Sequence, residues 1–380
     1  MSRIMIIAGE HSGDMHGAAL VQATNKIYDN IEWFGIGGPL MRSAGVKTSH
    51  DIADMAVLGL IEVLKRYRFF KKVFDEMLAL ARKTRPDAVV LVDYPGFNLR
   101  LAEKLHADGI KVIYYICPQV WAWHRERIPK MAKIIDHLIT IFPFEAKHFD
   151  GTGLRVTYAG HPLVDATRKA SELPATPLPW KGRQRVAILP GSRNQEIRRL
   201  LPIMWKAAAE LEKQNHHTCF IIAATDNAAI TRIRSAIHGI PGPAGFDVVA
   251  GHTREILRQA DAAMVASGTA TIETALMRCP MAVIYKVTPL TYFIAKRLIK
   301  IDNIGMVNIV AGRAICPELI QANATPKKIA DTILPLISDT PQRSTMLKDI
   351  DDVIETMGHG GAADNAARIL LKELNFTPKS

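Results

Sequence analysis

Ser267-Gly268-Thr269-Ala270-Thr271-Ile272-Glu273 follows directly on the apolar run Ala262-Ala263-Met264-Val265-Ala266. The pattern predicts a buried strand ending in small hydroxyl residues, then a helix running through Ala275-Leu276-Met277. The first turn of a helix presents amides without internal partners and carries a partial positive charge, so a diphosphate can sit there. Small side chains at Ser267, Gly268, Thr269, Ala270 and Thr271 let it come close, and Glu273, deeper in the helix, has the acceptor oxygens a ribose diol needs. An ordinary cap, with serine and threonine bonding their own backbone, accounts for the same residues.

A second set ends another apolar run: Leu189-Pro190-Gly191-Ser192-Arg193. Glycine permits an unusual turn, Ser192 offers a hydroxyl, and Arg193 can fork two donors onto phosphate oxygens, with Glu196 placed to orient it. A strand-to-helix turn with a solvated arginine is the alternative. The third set, Gly9-Glu10-His11-Ser12-Gly13-Asp14, lacks the dinucleotide spacing G-x-G-x-x-G, and Glu10 and Asp14 would repel a pyrophosphate. They suit sugar hydroxyls better. Phe34-Gly35-Ile36-Gly37-Gly38-Pro39 reads as a second glycine-rich turn.

Asp93, in Val92-Asp93-Tyr94-Pro95-Gly96-Phe97-Asn98, stands where a hydrophobic strand emerges. A carboxylate held there can take a proton from an attacking hydroxyl, or can merely cap the following helix. The loop Cys117-Pro118-Gln119-Val120-Trp121-Ala122-Trp123 can stack on sugar, cover lipid chains, or simply pack. Gln119, Trp121 and Asn98 join Glu10, Ser12, Gly13 and Asp14 as the expected acceptor or cleft residues. Ser12 has no Gly-x-Ser-x-Gly setting and Cys117 no evident partner base, which disfavours nucleophilic hydrolysis.

These loops need strands to hold them, and strand and helix signals alternate along the chain. Strands are expected at 4–8, 88–92, 112–116 and 137–142, then, after a proline-rich span, at 186–189, 219–224, 247–250, 262–266 and 281–285. Two such runs predict an α/β protein of two doubly wound, Rossmann-like domains facing a cleft, with ligands beyond the carboxyl ends of the strands. The expected division is 1–170, a linker at 171–185, 186–358, and a final helical segment at 359–380.

The chain has 380 residues, 48% hydrophobic and 22% charged, enough for two cores. Its net charge of +11 admits nucleic acid, an anionic membrane surface or phosphorylated substrates as partners. The absence of helix-turn-helix, zinc-finger or RNA-binding patterns makes nucleic acid the weakest of these. Cys117, Cys219, Cys279 and Cys316 lack metal or redox spacing, so reduced thiols, no zinc site and a cytoplasmic location are expected. Leu64-Lys65-Arg66-Tyr67-Arg68-Phe69-Phe70-Lys71-Lys72-Val73-Phe74, drawn as a helix, gathers aromatics on one side and cations largely on others. Such a helix can lie among anionic headgroups or pack its apolar stripe on a sheet.

Seen in order, the motifs resemble the lipid-A-disaccharide synthase family. The resemblance runs from Gly9-Glu10-His11-Ser12-Gly13-Asp14 through Gly35-Ile36-Gly37-Gly38, Asp93 to Asn98, Pro118 to Trp123 and Ala159-Gly160-His161-Pro162. It continues through Leu189 to Arg193, Ser267 to Glu273, and Val307-Asn308-Ile309-Val310-Ala311-Gly312-Arg313 to Gln321. It implies a glycosyltransferase B architecture and an inverting transfer of diacylglucosamine from UDP to diacylglucosamine 1-phosphate, giving a lipid A disaccharide 1-phosphate and UDP. It further implies no metal and no cofactor, a peripheral place on the inner face of the bacterial inner membrane, and a C-terminal segment that crosses back to the first domain. By analogy UDP falls to Ser192, Arg193, Ser267 to Thr271, Glu273 and Asn308. The expected partners are the two acylated sugars, an anionic membrane surface and a second copy of the chain. Another UDP-sugar enzyme, such as a UDP-N-acetylglucosamine epimerase, would share the second domain but not the acidic glycine turn and tryptophan loop of the first, and a nucleotide-regulated binding module would bind its ligand without turnover.

Overall fold

The computed structural model describes residues 2–55, 66–298 and 302–376. The chain divides into two compact units, Met1–Pro162 with Gly360–Ser380, and Leu163–His359. The helix Pro162–Glu172 runs past the first boundary, and the next strand begins at Gln184, so the irregular stretch between them is shorter than the proline-rich composition suggests.

In the first unit the strands are β1 (Ser2–Ala8), β2 (Ile31–Gly37), β3 (Lys47–Asp51), β4 (Ala88–Val92), β5 (Val112–Tyr115), β6 (His137–Thr140) and β7 (Arg155–Tyr158). They form one sheet in the order β3-β2-β1-β4-β5-β6-β7, and every pairing is parallel. Helices cover both faces of such a sheet, so its central strands read as continuous apolar runs. Ile4 to Ala8 and Ala88 to Val92 are fully buried.

Phe34 to Gly37, expected as part of a turn, lies within β2. Gly35 has φ +145°, and a Cβ there would sit 2.1 Å from the carbonyl oxygen of Ile6. Glycine is therefore demanded by strand packing, not by a bend.

The helix Ala362–Glu373 completes this unit by burying Ala362, Ala366, Ala367, Leu370 and Leu371. At its end the Glu373 carboxylate accepts from Lys111 Nζ at 3.4 Å and from an Arg155 guanidinium, and lies 3.1 Å from His137 Nδ1. These three partners stand at or beside the starts of β5, β6 and β7. The Tyr28 and Phe376 rings stack at 5.0 Å, and Asn365 Nδ2 donates to the Ala159 carbonyl.

The second unit holds β8 (Gln184–Leu189), β9 (Thr218–Ala224), β10 (Phe246–Ala250), β11 (Ala262–Ala266), β12 (Met281–Tyr285) and β13 (Glu318–Ile320). Their order is β10-β9-β8-β11-β12-β13, again all parallel. The four cysteines are buried and free. No helix among the described residues is long and apolar enough to cross a membrane.

Candidate active site

Both sheets share one topological property. The first strand of each unit has its successor on one side and a later strand on the other, which opens a crevice at the carboxyl ends. In the first unit that switch lies between β1 and β4, where Ala8 pairs with Val92. Glu10 and Asp93 leave the sheet there.

Asp93 and Tyr94 occupy left-handed backbone, with φ of 46° and 51°. Two successive non-glycine residues in that region cost on the order of 1–3 kcal/mol each, so surrounding bonds must hold them. They do: Asp93 N donates to the Tyr115 carbonyl at 3.0 Å, and the Asp93 carbonyl accepts from Tyr114 Oη at 2.6 Å and Asn98 Nδ2 at 2.7 Å. The Asp93 carboxyl is pushed up to about 6, chiefly by burial and then by the Glu10 charge, against the opposing pull of the Tyr94 amide. It is a carboxylate at neutral pH, poised to accept a proton.

The other expected acceptor residues divide sharply. Glu10, Ser12 and Gln119 are exposed. Asp14 is fully buried, and its carboxylate accepts from the amides of Gly38, Leu40 and Met41 at 2.7–3.0 Å. It anchors the short helix Pro39–Ser43 instead of facing a sugar. Gly13 is buried where a Cβ would press on Ala8 at 3.2 Å, so its role is close helix-to-strand packing. Gly9 lies under the Tyr94 ring, whose nearest atom would be 2.3 Å from a Cβ there, so this glycine serves packing as well. Asn98 is buried and serves the Asp93 backbone.

Trp121 is 1% exposed, and its indole donates to Glu145 Oε1 at 3.2 Å, so it packs and does not stack on a ligand. Trp123 is the exposed tryptophan of that loop. Glu145 went unnoticed in the sequence. Its Oε2 also accepts from Phe142 N, and burial pushes its carboxyl up to about 8 although those donors pull it down. An acid directly after the apolar run Ile141-Phe142-Pro143-Phe144 is the signal the sequence carries.

In the second unit the switch lies between β8 and β11, where Leu189 pairs with Val265. The two phosphate-type loops therefore emerge side by side. Gly191 has φ +98°, and a Cβ would collide with Glu196 Oε2 at 2.3 Å. That oxygen accepts from the amides of Ser192 and Arg193, while Glu196 Oε1 accepts from the Arg193 guanidinium at 3.3 Å. The Arg193 side chain remains 78% exposed.

On β11's side, Gly268 at φ +140° caps the helix Thr269–Leu276. Thr269 is exposed and Ala270 half-buried at its first turn. Ser267 Oγ donates to the Ile304 carbonyl, and Thr271 Oγ1 donates to the Gly268 carbonyl and accepts from Val307 N. These two hydroxyls hold the loop against 304–307, so backbone amides and the exposed Thr269 side chain are what this turn offers an anion.

Asn308 is fully buried and saturated. Its Nδ2 donates to the Cys316 carbonyl and Glu318 Oε1, and its Oδ1 accepts from the amides of Ile315 and Cys316. An amide has two donors and two acceptor sites, and all are used, so Asn308 shapes the 304–318 segment and has nothing left for UDP.

Glu273 keeps its place one turn into the helix, with Arg254 Nε 2.9 Å from its Oε1. Arg254 opens the helix Thr253–Gln259 after β10 and was not singled out in the sequence.

The helix Tyr67–Thr84 turns its aromatic stripe inward: Phe69, Phe70 and Phe74 pack against the core of the first unit, while Tyr67, Arg68, Lys71 and Lys72 are exposed. Val63, Leu64 and Lys65 of that expected amphipathic segment lie outside the described residues.

A family model described as lipid-A-disaccharide synthetase matches residues 4–371. The lipid-A-disaccharide synthase of Syntrophus aciditrophicus is 41% identical over 371 residues, and that of Geobacter sulfurreducens 38% over 377, each match covering at least 97% of both chains. Among solved structures, a Staphylococcus aureus MnaA–UDP complex superposes with a TM-score of 0.66 at 12% identity, covering 99% of this chain and 98% of the other. A glycosyltransferase of kitacinnamycin gives 0.62 at 15%, covering 98% of both, and these two likenesses speak to the fold alone. With the full-length model and relatives near 40% identity, the chain belongs to the lipid-A-disaccharide synthase family of glycosyltransferases.

Proposed function

We propose that the protein joins UDP-2,3-diacylglucosamine to 2,3-diacylglucosamine 1-phosphate with inversion, giving the lipid A disaccharide 1-phosphate and UDP. Family membership across residues 4–371 is the observation that carries the reading. In it, the acceptor's primary hydroxyl oxygen attacks the anomeric carbon, the bond from that carbon to the diphosphate oxygen breaks, and Asp93 receives the hydroxyl proton. The left-handed backbone at Asp93 and Tyr94, held by Tyr114, Tyr115 and Asn98, supports Asp93 as that base.

In the second unit, Arg193 and the first-turn amides of the helix Thr269–Leu276 hold the leaving diphosphate, and Glu273 takes the ribose hydroxyls. Fixed donors of this kind stabilise the developing charge, and the reading calls on no cofactor. Exposed Glu10, Ser12 and Gln119 are the acceptor contacts this reading retains from the first unit. Both substrates carry acyl chains, and the exposed cations of the helix Tyr67–Thr84 suit an anionic lipid surface.

The test is to incubate the purified protein with both acylated sugars and follow UDP and disaccharide by mass. Stoichiometric appearance of both is expected. UDP without disaccharide, or no turnover, would overturn the reading.

A further inference from the structure

Glu273 sits in an unusual setting for an acid assigned to a nucleotide's sugar. It is 18% exposed on the helix after β11, and no hydrogen bond reaches its carboxylate among the described residues. Its neighbour is Arg254, from a different helix, with Nε 2.9 Å from Glu273 Oε1 but without the alignment of a hydrogen bond. The contact is an ion pair through one oxygen: it holds the carboxylate in place and leaves Oε2 for other donors. A carboxylate restrained by a charge and still unsatisfied is suited to accept from a vicinal diol.

We propose that Arg254 is a positioning residue that fixes Glu273 for the nucleotide's ribose, and so sets the preference for a ribose over a deoxyribose diphosphate. The inference rests on the assignment of Glu273 to ribose made above. Arg254 acts through Glu273, so its removal should cost affinity only where a ribose hydroxyl is present.

The experiment is titration calorimetry of UDP and 2′-deoxy-UDP against the full chain, Arg254→Ala, Glu273→Gln and the double variant, with thermal melts of each. The parent protein should prefer UDP by about 10-fold or more, the size of one hydrogen bond to a charged group. Glu273→Gln and Arg254→Ala should each shrink that preference toward parity, and the double variant should be no worse than Glu273→Gln alone. Arg254→Lys, which keeps the charge, should recover part of the preference and guards against a folding defect in the alanine variant.

If Glu273→Gln leaves the preference intact, the ribose assignment itself fails and this inference with it. If Glu273→Gln abolishes the preference while Arg254→Ala leaves it whole, only the positioning role falls. Equal weakening of both ligands by Arg254→Ala would overturn that role too and move the arginine to the diphosphate.

Discussion

In the proposed reaction Asp93 acts through a carboxyl whose ionisation is set by burial and by Glu10. A base must be deprotonated to act, so the acidic limb of kcat/KM should lie near pH 6, well above the ordinary aspartate range. Asp93→Asn should lower turnover by roughly 100- to 10,000-fold while leaving UDP affinity unchanged. Glu10→Gln removes a neighbouring negative charge, so the limb should move to lower pH. Initial rates across pH on both variants check these outcomes, and an unmoved limb would detach Glu10 from Asp93. Glu145 gives a different signature because its folded carboxyl, at about 8, lies above its unfolded value. Between those two values the folded state binds the extra proton, so stability is fullest at low pH and declines as pH rises toward 8. Urea midpoints for the parent and Glu145→Gln should converge at low pH and separate above it, with the parent the weaker.

At the scale of elements, each active loop is a strand end whose following helix supplies either a charge or a staple. Arg193 is largely solvent-exposed and bonded only through its own helix turn, so Arg193→Ala should leave the melting temperature nearly unchanged. UDP binding by calorimetry should nevertheless weaken by roughly 10- to 100-fold through loss of a charge-assisted phosphate contact. The helix Tyr67–Thr84 separates in the opposite sense: its phenylalanines are structural, and its exposed cations Lys71 and Lys72 make surface i,i+4 pairs with Asp75 and Glu76, of little weight for stability. Reversing Arg68, Lys71 and Lys72 to glutamate should abolish sedimentation with anionic vesicles while the melt holds. Retained vesicle binding would remove this helix from the lipid surface. The central strands were legible because Ile4 to Ala8, Ala88 to Val92 and Ala262 to Ala266 are unbroken apolar runs of the kind a doubly covered parallel sheet requires. β2 was not, because Gly35 and Gly37 look like a turn until the carbonyl of Ile6 is seen against Gly35. β3, β7 and β13 are short, only partly buried edge strands with no periodic signal to read. Asp93, Arg193 and Glu273 stand where residue type and pattern put them, directly after β4, in the turn after β8 and one turn into the helix that follows β11. Asp14, Asn98 and Trp121, taken from spacing, and Asn308, taken from the resemblance, turn their polar or aromatic groups into the fold, because neither spacing nor a motif says which way a side chain turns.

At the scale of the molecule, the first unit is built from two separated pieces of chain, and the second piece contributes a whole buried helix face and the Glu373 cluster. Ending the chain after His359 should therefore expose the apolar surface beneath Ala362 to Leu371 and unfasten the starts of β5 to β7. Limited proteolysis of that truncation should cut within Met1–Pro162 and spare Leu163–His359, and equal resistance of the two would show the helix to be dispensable. The same discontinuity orders the birth of the protein. The second unit is an uninterrupted stretch, whereas the first waits for a helix encoded beyond it. At the ribosomal rate of about 5–20 residues per second, roughly 10 to 40 s pass between completion of the first unit's seven strands and emergence of its last helix. During that interval the apolar surface that Ala362–Glu373 covers, chiefly along the helix His11–Ile27, stays open to water, which makes the unit begun first the one finished last.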